Sequence, residues 1–119
     1  MAVPLVYGKR LPVKPGLMER YTMGQQPKVS RVETTHGGEY TIIVEGASRP
    51  AHLTWKRRGD ARLVDHTFVP PEARGQGLAA KLVEAIVDDA RVDGFLIIPQ
   101  CSYAVALFDR HPEWADLRG

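Results

Sequence analysis

The stretch that most constrains this chain is residues 69–82, VPPEARGQGLAAKL, where two prolines end one element and two glycines open the next. Residues 62–69 read as a strand, and Pro70-Pro71 stops it, because a proline cannot donate to a ladder and restricts the residue before it. The turn Arg74-Gly75-Gln76-Gly77 then releases an apolar-periodic helix. A strand, a glycine turn and a helix start together make an anion site. The first helical N–H groups have no intrahelical acceptor, the helix dipole puts partial positive charge beside them, and glycine lets a phosphate approach the backbone closely. Arg74 adds a permanent cation, so the expected ligand is a pyrophosphate.

The rest of the chain has to support such a site within 119 residues, which is one domain's worth of sequence. Apolar residues at 44% and charged residues at 25% are ordinary for a globular core. A formal charge of +2 is too small to argue for a nucleic-acid partner. The apolar runs are far too short to span a bilayer, and Pro4, Gly8, Lys9 and Arg10 break any signal-peptide core. The single Cys excludes an internal disulfide and fits a reducing cytoplasm, and one Cys with four scattered His gives no metal-ligand spacing.

Taken in order, residues 1–28 form an irregular, proline-rich basic arm, and residues 29–119 carry the pattern of a folded domain. Period-two strands are expected at residues 29–34, 39–44, 51–56 and 62–69, joined by short turns into an antiparallel meander. A helix follows over residues 75–93, with Leu78, Leu82 and Ile86 on one face and Gly94 at its C-terminus. Residues 95–98, FLII, are a continuous apolar run between Gly94 and Pro99, as expected of a strand buried on both faces and lying parallel to the fourth. A short helix over residues 104–110 ends at His111-Pro112. The fold class is therefore α/β (α+β).

Gly75-x-Gly77-x-x-Ala80 also satisfies the dinucleotide fingerprint, but that motif needs a parallel strand before the turn and an acidic residue closing the next strand. Neither is present, and no Gly-Lys-Ser/Thr follows to make a P-loop. The order Arg74-Gly75-Gln76-Gly77-Leu78-Ala79, between a fourth strand and a central helix, resembles the Arg/Gln-x-x-Gly-x-Gly/Ala motif of the GCN5-related N-acetyltransferases. Cys101-Ser102-Tyr103-Ala104-Val105-Ala106-Leu107-Phe108 looks like that superfamily's last conserved segment. Together with Asp65-His66-Thr67-Phe68-Val69-Pro70 and His111-Pro112-Glu113-Trp114, it is similar to a small subgroup of minimal acetyltransferases.

The resemblance implies a co-substrate, acetyl-CoA, whose pyrophosphate rests on the amides of Arg74, Gly75, Gln76, Gly77, Leu78, Ala79 and Ala80. Its pantetheine would lie in a splay between the fourth and fifth strands, beside Phe68, Val69 and Phe108. The backbone N–H near Val69 would polarise the thioester carbonyl. Two positions depart from the family pattern: Cys101 stands where Asn is usual, and Phe108 where the Tyr that protonates the leaving thiolate is usual. The implied activity is transfer of an acetyl group to an amine of unknown identity. A CoA-binding regulatory or interaction module without robust turnover is the alternative.

Three residues are the candidates for chemistry. Cys101 precedes a helix start, a setting that activates thiols, and the choices there are an acyl relay or packing beside the thioester. His66 alternates with Val64 and Phe68 and so is expected on the core side as a general base, with Asp65 its competitor on the other face. Tyr103 would protonate sulfur or stack on the cofactor. His36 and His52 read as solvent-side residues, and His111 as a helix cap. Ser102, His66 and Asp65 lack the Gly-x-Ser-x-Gly elbow of a hydrolase. So short a chain leaves the acceptor side open, or leaves it to a second copy in a symmetric dimer.

Overall fold

The computed structural model describes residues 28–119, so the expected basic arm, apart from Lys28, lies outside the described residues. Five strands form one sheet: β1 (Val29–Glu33), β2 (Gly37–Ile42), β3 (Ala51–Arg58), β4 (Ala61–Phe68) and β5 (Leu96–Pro99). Their spatial order follows the chain, with the first four antiparallel and β5 parallel to β4. The meander arises from short polar turns. The parallel pair needs a crossover, and helix α1 (Leu78–Asp93) supplies it.

Helix α1 begins three residues later than the sequence pattern suggests. Gly75 and Gly77 hold φ values of 88° and 75°, a left-handed conformation that an α-helix cannot contain, so residues 75–77 are turn and Gly77 is the N-cap. At its other end Gly94 donates its N–H to the Ala90 carbonyl and closes the helix as expected. The apolar stripe Leu78, Leu82, Val83, Ile86 and Ala90 packs on Tyr40, Ile42, Leu53, Trp55 and Val64 of the sheet. Helix α2 (Ser102–Arg110) and the 3₁₀ turn Pro112–Leu117 extend this layer, with Phe108 edge-on to Trp114 at 5.2 Å. Arg91 of α1 ties the turn down through the Asp116 carboxylate and the Glu113 carbonyl.

Strand β5 is not buried on both faces. Ile97 is fully buried on the helical side, but Leu96 is 41% exposed, because among the described residues no helix covers the opposite face of the sheet. That outer face carries Thr41, His52, Thr54 and Lys56, the residues that alternate with the buried Tyr40, Ile42, Ala51, Leu53 and Trp55.

A bulge in β4 decides which side chains reach which face. Trp55 pairs with Val64 but Thr54 pairs with His66, so Asp65 has no opposite residue on β3. The extra residue reverses the alternation: Val64 and Thr67 face the helices, while His66 and Phe68 lie opposite Thr54 and His52 of the outer face. His66 is exposed, not directed at the core as strict alternation would have it.

Candidate active site

The β4–β5 ladder ends at Val64 and Pro99. Beyond it the chains part, and the Val64 carbonyl accepts hydrogen bonds from two successive amides, Gln100 at 3.0 Å and Cys101 at 3.1 Å. Residues 65–68 of β4 therefore have no strand partner on the β5 side, and the sheet opens into a gap. Pro70 and Ala73 close the far end of β4 with a single 3₁₀ turn, in which the Ala73 N–H donates to the Pro70 carbonyl at 2.9 Å.

That turn delivers the chain to the start of α1. No side chain caps this helix; the N-cap is glycine, and the first closed helical bond runs from the Lys81 N–H to the Gly77 carbonyl. The amides just before it are left for an external acceptor. The Arg74 amide is not among them, contrary to expectation, because the 3₁₀ turn ends by donating it to the Pro71 carbonyl at 3.3 Å. They face a cleft of about 320 Å³ lined by Val69, Ala73, Arg74, Gly75, Gly77, Leu78, Ala79 and Tyr103. Arg74 is exposed at the rim, with its Nε–H donated to the Val69 carbonyl at 3.1 Å, which holds the guanidinium over the cleft mouth. Glycine turn, uncapped helix start, Arg74 and the Tyr103 phenol thus line one cleft.

Cys101 sits at the gap as the N-cap of α2. Its sulfur accepts from the Ala104 N–H at 3.4 Å and lies 3.8 Å from the Thr67 hydroxyl. His66 is not beside it. The bulge sends the imidazole to the outer face, where it lies 5.6 Å, ring to ring, from His52. Asp65 is committed elsewhere: Lys56 Nζ and the Thr54 hydroxyl both bond its carboxylate, at 2.5 and 2.8 Å. Burial pushes this carboxyl up, but the two hydrogen bonds outweigh it and leave Asp65 below its ordinary range. A carboxylate so stabilised is a weak proton acceptor.

The two aromatic candidates divide from the cleft. Phe68 turns outward and stacks on His52, with ring centroids 5.4 Å apart. Phe108 is buried against Trp114. His111 caps α2 as expected, donating its N–H to the Phe108 carbonyl, and its ring stacks on Trp114 at 4.0 Å. Sequence reasoning assigns no functional role to Thr67 or Arg49 and reads His52 as a solvent-side residue. A bulge changes which residues are neighbours without leaving a glycine or proline to mark it, and His52 alternates like any exposed residue of an antiparallel strand.

The family described as GCN5-related N-acetyl-transferase matches residues 39–117 of the chain. The fold is similar to the NMR structure of a GCN5-like protein from Staphylococcus aureus. The TM-score is 0.62 and the identity 25%, over 80% of this chain and 90% of that one. The family match runs from within β2 to the end of the final 3₁₀ turn and so contains both the glycine turn and the Cys101 segment.

Proposed function

From the premise that the chain belongs to the GCN5-related N-acetyltransferases, we propose that it moves an acetyl group from acetyl-CoA to a primary amine at the gap between β4 and β5. The observation that carries this reading is the uncapped start of α1, opening with Arg74 onto a cleft that lies beside the gap. The pyrophosphate takes the amides around Gly77 and the Arg74 guanidinium, a set of charge-assisted donors for which neither glycine presents a Cβ barrier. The pantetheine runs along the unpaired edge at residues 65–68, where free backbone groups await partners. The thioester then lies near Val69, Cys101 and Tyr103.

Transfer needs three things from the protein. It must hold the amine within reach of the acyl carbon, take a proton from the amine, and return one to sulfur. The amine nitrogen forms the new C–N bond as the C–S bond breaks. His66, on the outer side of the gap, receives the amine proton, and Tyr103, on the cleft side, protonates the departing thiolate. A thiolate is a tolerable leaving group near neutral pH, so the missing Tyr at Phe108 does not stop the reaction. We place Cys101 as packing beside the thioester and not as an acyl carrier. Its sulfur is held by Thr67 and Ala104, and the imidazole that would have to deprotonate it faces the other way.

One observation favours a second reading, a CoA-binding module without turnover: the position of the family's usual proton donor is a phenylalanine buried against Trp114. A single comparison tests both. Calorimetry with CoA should show binding to the full chain and none to Gly77→Val, whose branched side chain occupies the phosphate approach. Mass spectrometry of small amines and peptides incubated with labelled acetyl-CoA should show enzyme-dependent acetylation. Equal CoA affinity in wild type and variant ends the acetyl-CoA reading, while binding without any acetylated product leaves the module.

A further inference from the structure

The outer face beside the gap holds a group of side chains that the glycine turn does not explain. His52 is 17% exposed, flanked by the Phe68 ring at 5.4 Å and the His66 ring at 5.6 Å, with its Nδ1 3.9 Å from a Glu39 carboxylate oxygen. Arg49, from the loop before β3, lays its guanidinium over the Phe68 ring, with Cζ 4.2 Å from the ring centroid. Of the carboxylates here, Asp65 is bound to Lys56, and Glu39 reaches only His52. Among the described residues Arg49 has no carboxylate within ion-pair distance, whereas Arg31, Arg57, Arg62, Arg91 and Arg118 each pair with one. A guanidinium stacked on an aromatic ring keeps its N–H edge free for a planar anion.

We infer that the Arg49–Phe68–His52 group is the acceptor subsite, and that it selects an amine carrying a nearby anionic group, a carboxylate or a phosphate, over a simple alkylamine or a polyamine. This inference rests on acetyl transfer at the gap. Acetyl-CoA occupies the helical side through the cleft at α1, so the acceptor arrives from the uncovered side. There the bulge has already turned His66 and Phe68 to meet it. The anionic group seats on the Arg49 fork above Phe68 and leaves the amine pointing toward His66 and the gap. His52, stacked against Phe68 and faced by Glu39, positions the ring that Arg49 lies on. A second positive charge on the acceptor would be repelled by Arg49, whereas a negative one completes an ion pair with its guanidinium. Glu39, Asp65, Lys56, His66 and Arg49 are the titratable and charged groups around His52, contributed by β2, β3, β4 and the preceding loop.

Three primary amines of matched length separate the possibilities: 4-aminobutyrate, butylamine and putrescine, assayed with the full chain by release of CoA thiol from acetyl-CoA. The expected order of kcat/KM is 4-aminobutyrate, then butylamine, then putrescine. Arg49→Ala should lower the ratio of the first to the second by about tenfold, mostly through KM. Arg49→Lys should recover part of it, and His52→Gln should narrow the ratio without removing it. A ratio unchanged by Arg49→Ala, a preference for putrescine, or no transfer to any of the three by protein that binds CoA would each overturn the inference. CoA calorimetry on the same preparations keeps the two proposals apart. Loss of CoA binding in wild type strikes the acetyl-transfer reading itself, whereas intact binding with an unaltered acceptor ratio strikes the subsite alone.

Discussion

The two ends of α1 treat polar groups in opposite ways. At Asp89, in the fourth turn, every donor has an acceptor. Arg31 makes a two-pronged pair with the carboxylate at 2.7 and 3.1 Å, the Tyr40 hydroxyl donates to it at 2.6 Å, and Arg62 donates to the Tyr40 oxygen at 3.2 Å. Arg62 is itself held between the Trp55 and Phe95 rings, at 4.0 and 3.9 Å. Burial first, and then the bond to Asp89, push the Tyr40 phenol well above its ordinary range, as expected of a donor locked to a carboxylate. At Gly77 the same helix leaves its amides without side-chain caps and opens them on a cleft. Satisfied polarity stitches β1, β2, β4 and α1 together, and unsatisfied polarity at a rigid helix start waits for a ligand. Presence of charge does not mark the site; lack of a partner does.

That contrast makes a double prediction, and its larger half lies at the open end. Arg74→Ala should weaken CoA binding by about 1.5–3 kcal/mol, roughly 10- to 150-fold, because it deletes one charge-assisted contact, while the unfolding midpoint stays put. Calorimetry beside a urea melt reads both. A midpoint that falls with the affinity would mean that Arg74, through its bond to the Val69 carbonyl, is structural. At the closed end, Asp89→Ala should do the reverse. It strands Arg31 and Tyr40 together, and should cost about 2 kcal/mol of stability, between the values for exposed and buried pairs because Arg31 is half exposed. CoA affinity should not change, and an altered Kd in that variant would dissolve the distinction between the two ends.

How much of this was legible in the sequence follows from what kind of signal each feature leaves. The glycine turn, the Gly94 cap and the α1 stripe are local, and the residues that make them are those whose backbone or period is distinctive, so they read correctly to within a few positions. The start of α1 was the exception, since a positive-φ glycine and a helical glycine look alike in sequence. The Asp65 bulge leaves no residue signature. Strict alternation therefore put His66 on the core side, and missed Thr67 as the neighbour of Cys101. The apolar run at β5 suggests double burial because composition cannot say whether a second layer exists, and the exposure of Leu96 shows that among the described residues none does.

A smaller effect is expected at Cys101, and it tests whether the open end carries chemistry or only binding. Under direct transfer Cys101→Ala keeps its activity within about threefold and loses about 0.5–1 kcal/mol of stability, the cost of an α2 cap whose sulfur bonds the Ala104 N–H. Acid-quenched wild type should carry no acetyl mass on the peptide containing Cys101. An adduct there, with transfer abolished in Cys101→Ala at unchanged CoA affinity, would replace direct transfer by a relay.

The smallest effect should come from Asp65, the residue that the bulge sets between the two faces. Its carboxyl is depressed in the folded protein, so the sign follows directly. The Asp65–Lys56 bond contributes stability above the unfolded carboxylate pKa of about 3.9, and that contribution disappears as pH falls through the lower folded value. Lys56 is mostly exposed, which limits the contribution to about 0.5 kcal/mol. Asp65→Asn should therefore be slightly less stable than wild type at pH 7, and the difference should close as the pH is lowered below the carboxylate range. Urea melts at the two pH values read this out, while acetyl transfer at pH 7 should remain near wild type. Activity that collapses in Asp65→Asn with stability intact would make Asp65 the proton acceptor in place of His66. It would also mean that a carboxylate already holding two partners can belong to the working side of the molecule, against the rule that the two ends of α1 otherwise obey.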